Sequence, residues 1–319
     1  MRTVSHDLVT VGRIGIDLYP LRSGVPLSEV DTFARFLGGS ATNVAVAAAR
    51  LGLRSAVVSR TGDDPFAGFV HTALRGYGVD DSFVTPVEGR KTPITFCEIF
   101  PPDDFPIVFY RDHAPDLVIR PEELDADALG AARIVWLTGT GLSAEPSRSA
   151  HAAILGLRRG NAGETVLDLD YRPMLWPDRA TAEREVRQAL AAGAVTVAVG
   201  NREECEVATG RSDPDQAADV LLGHGVRLAI VKLGPAGVLA KTSVGQRLVV
   251  PPRPVEVVNG LGAGDAFGGA LCLGLLRGWP LDETLRFANA AGAYVAARLA
   301  CSDAMPTTDE VYQLMGETR

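Results

Sequence analysis

The chain has 319 residues, 46% hydrophobic and 22% charged, which supports a sizeable core and excludes a disordered chain. With 31 basic against 39 acidic residues the formal net charge is -8, which argues against nucleic acid or an anionic membrane as partner. Met1–Asp7 is polar with no signal-like apolar segment, no run reaches transmembrane length, and Cys97, Cys205, Cys272 and Cys301 form no CxxC pair, so a cytoplasmic protein with reduced thiols is expected.

The first predicted element is a strand at Leu8–Val11, followed from Gly15 to Phe36 by extended, helix-free sequence. A helix over Thr42–Leu51, a strand over Ser55–Ser59 and a helix over Pro65–Tyr77 come next. Pro93–Tyr110 again lacks helical periodicity and reads as antiparallel strands around the turn PPDDF. From there strands at Ile134–Leu137, Thr165–Leu169, Val195–Val199 and Leu228–Lys232 alternate with helices at Ser147–Arg158, Ala180–Ala191 and Asp215–Leu222. Such alternation predicts βαβ units and a mainly parallel sheet with helices on both faces, and the two helix-free regions predict a small projecting sheet placed to act as a lid.

Near the C-terminal end, strand-like Leu248–Val250 and extended Val255–Val258 lead into NGLGAGDAFGGA (259–270), which opens an apolar helix to about Leu276. Glycines at 260, 262 and 264 allow a tight turn whose N–H groups converge at a helix N-terminus, an anion hole for phosphate. Asp265 falls in the first helical turn, in reach of a hydroxyl brought to that phosphate; a glycine turn with Asp265 as a cap accounts for the same letters. Gly38, Gly39, Ser40, Thr42 and Asn43 make a polar glycine turn suited to a polyol, although capping alone explains Ser40 or Thr42. After the strand ending at Val199, Asn201 and Glu204 share a face three residues apart, as phosphate and Mg²⁺-water ligands or as a capping box.

Gly139–Ala144 reads GxGxxA after a strand and before a helix, the setting of an NAD(P) fingerprint, but Asp168 lies further downstream than that fingerprint expects. No P-loop motif GxxxxGK[ST] occurs, and the histidines have no ligand spacing.

In this order and spacing the motifs resemble the ribokinase-like (pfkB) family of carbohydrate kinases along essentially the whole chain. The matching pieces are GRIGID (12–17), LGGSATNVAVAAARLG (37–52), TGDDPFAG (61–68), NREE (201–204), KLGPAG (232–237), NGLGAGDAFGGAL (259–271) and FANAAGA (287–293). The resemblance implies one α/β kinase domain over 1–319, a three-layer α/β/α sandwich with a mainly parallel central sheet. A β-sheet lid would come from about 13–36 and 91–112, a homodimer through that lid is expected, and ATP with Mg²⁺ would be the phosphoryl donor.

Residue by residue, the resemblance makes Asp265 the catalytic base and Gly262, Ala263 and Gly264 the anion hole. It assigns Asp17, Gly38, Gly39 and Asn43 to the sugar, Asn201, Lys232, Gly234, Gly237 and Asn289 to ATP, and Glu204 to the metal. Where the family usually has Asp-Thr this chain has Asn259-Gly260, which puts an activating K⁺ in doubt. Four segments, FCEIFPPDDFPIVFYR (96–111), DLDYRPMLW (168–176), NGLGAGD and RLACSDAMPT (298–307), are similar to the branch of the family that acts on a sugar acid. Arg111 and Arg172 stand at predicted strand ends where each suits a substrate carboxylate, unless it pairs with Asp103, Asp104 or Asp170.

Overall fold

The computed structural model describes residues 6–317. In chain order the strands are β1 (Leu8–Val11), β2 (Gly15–Pro20), β3 (Phe33–Gly38), β4 (Ser55–Gly62), β5 (Val84–Val87), β6 (Ile94–Cys97), β7 (Ile107–Tyr110), β8 (Ile134–Thr138), β9 (Glu164–Asp168), β10 (Val197–Asn201), β11 (Leu228–Lys232), β12 (Val238–Thr242) and β13 (Arg247–Val250). The helices are α1 (Ser40–Arg50), α2 (Pro65–Gly76), α3 (Ala126–Ala131), α4 (Ser147–Arg158), α5 (Arg179–Ala191), α6 (Arg202–Thr209), α7 (Pro214–Gly223), α8 (Ala263–Arg277), α9 (Leu281–Ala296) and α10 (Thr308–Met315). Two units emerge, each assembled from two stretches of chain.

The first unit holds the residues to Gly12 and Leu117–Pro252. Its strands run β13-β12-β11-β10-β9-β8-β1, parallel from β11 to β1 and antiparallel across β12 and β13. β1 and β8 are buried at every position, so period-two alternation is absent, as in sheets covered on both faces. Helices α5 and α7 start on side-chain caps: Asp178 accepts from the Thr181 N–H at α5, and Asp213 from the Gln216 N–H at α7, where Pro214 occupies a position that needs no donor.

Here the GxGxxA segment finds another purpose. Gly139–Leu142 forms a short 3₁₀ turn and α4 begins only at Ser147. A Cβ on Gly139 would lie 2.1 Å from the Leu169 carbonyl oxygen, and one on Gly141 would strike the His151 ring. Close packing accounts for both glycines.

The second unit holds Arg13–Asp116 and Arg253–Arg319. β4 and β5 pair in parallel, α8 packs against both α1 and α9, and α10 packs on α9, where Tyr312 meets Phe287. A Cβ on Gly269 of α8 would sit 2.5 Å from the Ala47 Cβ of α1, so glycine sets how closely these helices approach. A separate sheet runs β3-β2-β6-β7. β2–β3 and β6–β7 are antiparallel as the sequence predicts, but β2 and β6 are parallel. The excursion through α1, β4, α2 and β5 is long enough to return the chain in its original direction, which a tight hairpin forbids. No helix among the described residues is long and apolar enough to cross a membrane.

Candidate active site

In the second unit the glycine motif builds the head of α8. Its N-cap, Gly262, has φ 81°, a left-handed conformation that glycine adopts without strain, and a Cβ there would lie 2.7 Å from the Cys301 sulfur. Ala263, Gly264 and Asp265 then form the first helical turn, whose leading N–H groups have no intrahelical acceptor and suit an anion. Asp265 is the third helical residue, and its carboxylate is held from α1: the Ser40 hydroxyl donates to Oδ1 at 2.9 Å and Asn43 Nδ2 to Oδ2 at 2.8 Å.

The second glycine turn explains why α1 can supply those donors. Gly39, the N-cap of α1, has φ 103°, and a Cβ there would fall 2.3 Å from the Arg13 carbonyl oxygen, so the backbone passes where no side chain fits. Asn43 is oriented in turn. Its Nδ2 gives a proton to Asp265, so its Oδ1 is an acceptor, and the buried Ser302 hydroxyl lies 2.7 Å from it and 2.8 Å from the Leu37 carbonyl oxygen. With one proton to give, Ser302 serves one of these acceptors at a time.

Asp17 lies on β2 with its carboxylate over Gly38, where a Cβ would come within 2.1 Å of Oδ1. Burial pushes its pKa up to about 6, reinforced by Asp265 and opposed by the Tyr19 hydrogen bond, Arg13 and Thr95. Arg13 stacks over the Phe109 ring at 5.7 Å. Arg111 follows β7 and makes a two-pronged bond to Asp116, Nη1 to Oδ1 at 3.2 Å and Nη2 to Oδ2 at 2.9 Å. Their side chains are only 8% and 1% exposed, so the partner is this buried aspartate rather than Asp103 or Asp104. Asn259 is wholly buried; its Nδ2 donates to the Leu299 carbonyl at 2.7 Å and its Oδ1 accepts from the Leu261 N–H at 3.0 Å. Asn289 lies half-buried on α9.

In the first unit a charged cluster gathers at the carboxyl ends of β9, β10 and β11. Asn201 and Glu204 form the capping box: Asn201 Oδ1 accepts from the Glu204 N–H at 2.9 Å, and Glu204 Oε2 accepts from the Asn201 N–H at 2.6 Å. The buried Glu204 also meets Lys232 Nζ at 4.0 Å through Oε2 and Arg172 at 3.6 Å through Oε1, which leaves Oε1 outside the cap. Arg172 reaches Asp170 at 3.5 Å, the aspartate the sequence offered as its partner, and Thr140 donates to the same carboxylate at 2.8 Å. Gly234 (φ 61°) and Gly237 (φ 90°) shape the turn between β11 and β12.

Three contributors escape motif reading: Ser302, Asp116 and Tyr19. Tyr19 alone carried a local signal, since it stands two residues after Asp17 on a strand and shares its face. Ser302 lies inside the quoted segment RLACSDAMPT, but nothing local marks its role or that of Asp116, which depend on partners brought in by the fold.

A family model described as pfkB family carbohydrate kinase matches residues 5–308. A 5-dehydro-2-deoxygluconokinase of Shouchella clausii (strain KSM-K16) is 34% identical over 314 residues, covering 98% of this chain and 96% of that protein. A fructokinase with bound ATP from Xylella fastidiosa superposes with a TM-score of 0.85 at 25% identity, covering 98% of each chain. A putative ribokinase II in complex with ATP and Mg²⁺ from E. coli gives a TM-score of 0.87 at 22% identity over 98% of this chain and 99% of that one, which establishes the ribokinase-like fold.

Proposed function

This chain belongs to the pfkB family of carbohydrate kinases, and we propose that it transfers the γ-phosphoryl group of ATP to the C6 hydroxyl of 5-dehydro-2-deoxygluconate. The observation that carries the kinase reading is Asp265. A carboxylate stands in the first turn of a glycine-headed helix with one oxygen fixed by Ser40 and the other by Asn43. In this reading Asp265 accepts the proton of the attacking hydroxyl, and the N–H groups at Ala263 and Gly264 stabilise charge on the group in transfer. Asp17, Gly38, Gly39 and Asn43 hold the acceptor. Asn201, Lys232, Gly234, Gly237 and Asn289 hold the nucleotide. Mg²⁺ arriving with the phosphates would neutralise their charge, and the oxygen donors of Asn201 and Glu204 suit its hydration shell.

The named acid comes from the relatives; that it is an acid also fits the arginines. Arg172 is 35% exposed and its ion pairs are 3.5 and 3.6 Å long, so a substrate carboxylate has room to compete for it. Arg111 is held end-on by Asp116, which fixes the guanidinium and leaves its Nε edge as a donor. Asn259 takes the place of the aspartate usual in the family, and its amide donates to the Leu299 carbonyl, so we read the enzyme as working without a monovalent cation. Four buried free cysteines suit a cytoplasmic setting. The β3-β2-β6-β7 sheet is read as the lid, and its edge strand β7 exposes Val108 and Tyr110, where we place the contact with a second copy.

The test is kcat/KM for 5-dehydro-2-deoxygluconate, 2-dehydro-3-deoxygluconate, fructose and ribose, in the wild type and in Arg172→Met. The expected result is preference for the 2-deoxy acid and an arginine variant weakened by about tenfold or more on acids only. Preference for a neutral sugar overturns the acid reading. Preference for the 3-deoxy acid overturns only the named substrate.

A further inference from the structure

Beneath the proposed acceptor site lies a buried polar chain. Tyr19 has its hydroxyl 3.0 Å from Asp17 Oδ2, to which it donates, and 2.7 Å from the Cys301 sulfur. Because the phenol has one proton and the carboxylate takes it, the Cys301 thiol is the donor on the other side. That thiol keeps its proton: burial, aided by Asp17, pushes its pKa well above the usual range. Both side chains are almost fully buried, in a core shared with Cys97 and Ile99. The Tyr19 ring is fixed by Phe36 at 5.3 Å between centroids, and the Cys301 sulfur is the atom against which Gly262 packs.

We propose that Tyr19 is a positioning residue for the acceptor site, its hydroxyl holding the Asp17 carboxylate in one orientation while Cys301 keeps that hydroxyl turned toward it. This rests on Asp17 binding the acceptor, as proposed above. A buried carboxylate beside a glycine gap can rotate or take up a proton, and a donor on Oδ2 opposes both. Both oxygens pass over Gly38, and Oδ1 is the one Tyr19 does not occupy.

The groups facing Asp17 set the direction of the pH effect. Tyr19, Arg13 and Thr95 favour its charged form, while burial and Asp265 disfavour it; the neighbouring thiols of Cys97 and Cys301 stay neutral. Asp17 therefore carries its charge above about pH 6 and loses it below. Removing the tyrosine hydroxyl removes a group that favours the charge, so the carboxyl takes up its proton at a higher pH.

The experiment is Tyr19→Phe, which keeps the ring and deletes the hydroxyl. KM for the sugar acid should rise about tenfold, the lower end for a hydrogen bond to a charged group, with KM for ATP unchanged. The acidic limb of kcat/KM, near pH 6 in the wild type, should move to higher pH. A variant with wild-type acceptor KM and an unmoved limb overturns the proposal, whatever its melting temperature, because a packing role alone predicts that pattern. Asp17→Asn separates this from the reading beneath it. If that variant keeps the wild-type acceptor KM, Asp17 does not bind the acceptor; if it loses the acceptor while Tyr19→Phe does not, only the role of Tyr19 falls. Should Tyr19→Phe fail to fold, Cys301→Ala removes the outer restraint and should move the limb the same way by less; an unmoved limb there overturns the proposal too.

Discussion

Asp265 and Glu204 occupy the same position, the third residue of a helix, one in each unit. Glu204 reaches back to the N–H of its own N-cap, Asn201, three residues away. Asp265 has a glycine cap with no side chain to answer it, and its oxygens are held by Ser40 and Asn43, at sequence separations of 225 and 222. A carboxylate that caps its own helix is explained by that helix. One fixed by donors from another element is being oriented for something beyond it, since helix formation does not require those bonds. The difference separates positions whose letters are accounted for locally from positions where the fold has placed a reactive group.

The largest effect expected from this contrast is at Asp265. Asp265→Asn keeps the shape and an acceptor for Ser40 but removes the base. Its kcat should fall by about a hundredfold or more, while ATP binding and melting temperature stay near wild type. Direct nucleotide titration beside a coupled ADP-release assay measures both. If activity remains within a few-fold of wild type at saturating substrates, by that yardstick Asp265 is only part of the helix head.

Glu204 should respond more weakly, and two substitutions divide its roles. Glutamine preserves the acceptor that the Asn201 N–H uses and discards the charge; alanine discards both. Glu204→Gln should raise the Mg²⁺ concentration for half-maximal rate with little change in melting temperature. Glu204→Ala should add a loss of about 1 kcal/mol in stability, the usual worth of a cap. Equal Mg²⁺ dependence in wild type and Glu204→Gln would leave the capping box as the whole explanation of NREE.

The same contrast explains how much the sequence made legible. βαβ alternation is a local signal, and helices such as Ser147–Arg158 and strands such as Leu8–Val11 and Leu228–Lys232 fall where periodicity predicts them. The glycine turns were legible because Gly39 and Gly262 adopt backbone conformations that few other residues tolerate. The parallel pairing of β2 with β6 was not, since strand direction depends on the path of the chain between them. Ser302 stands in a segment the resemblance picks out, RLACSDAMPT, but its role is not visible until the fold carries it to Asn43, at a separation of 259. Arg111 shows the limit from the other side. Its position suggested a carboxylate partner, and a protein carboxylate, Asp116, holds it from five residues away through a bond that only the folded turn reveals.

The smallest effect, and the one that tests a substitution within the motif itself, concerns Asn259. A carboxylate buried here would leave a negative charge beside the Leu299 carbonyl, a cost a bound cation would offset. The amide removes that need: Nδ2 donates to the carbonyl at 2.7 Å, while Oδ1 still accepts from the Leu261 N–H and so holds the turn. The wild type should therefore run at the same rate in potassium, in sodium and in a buffer with neither. Asn259→Asp keeps the acceptor for Leu261 but puts a charge against the carbonyl, so its rate and melting temperature should fall without a monovalent cation and recover as potassium is added. Glycine at 260 leaves no side chain to add a further ligand: a Cβ there would come within 2.9 Å of the Phe105 ring, so only part of the activity is expected to return. A wild type that needs potassium for full rate, or an Asn259→Asp variant indifferent to it, would show that the amide does not stand in for a cation.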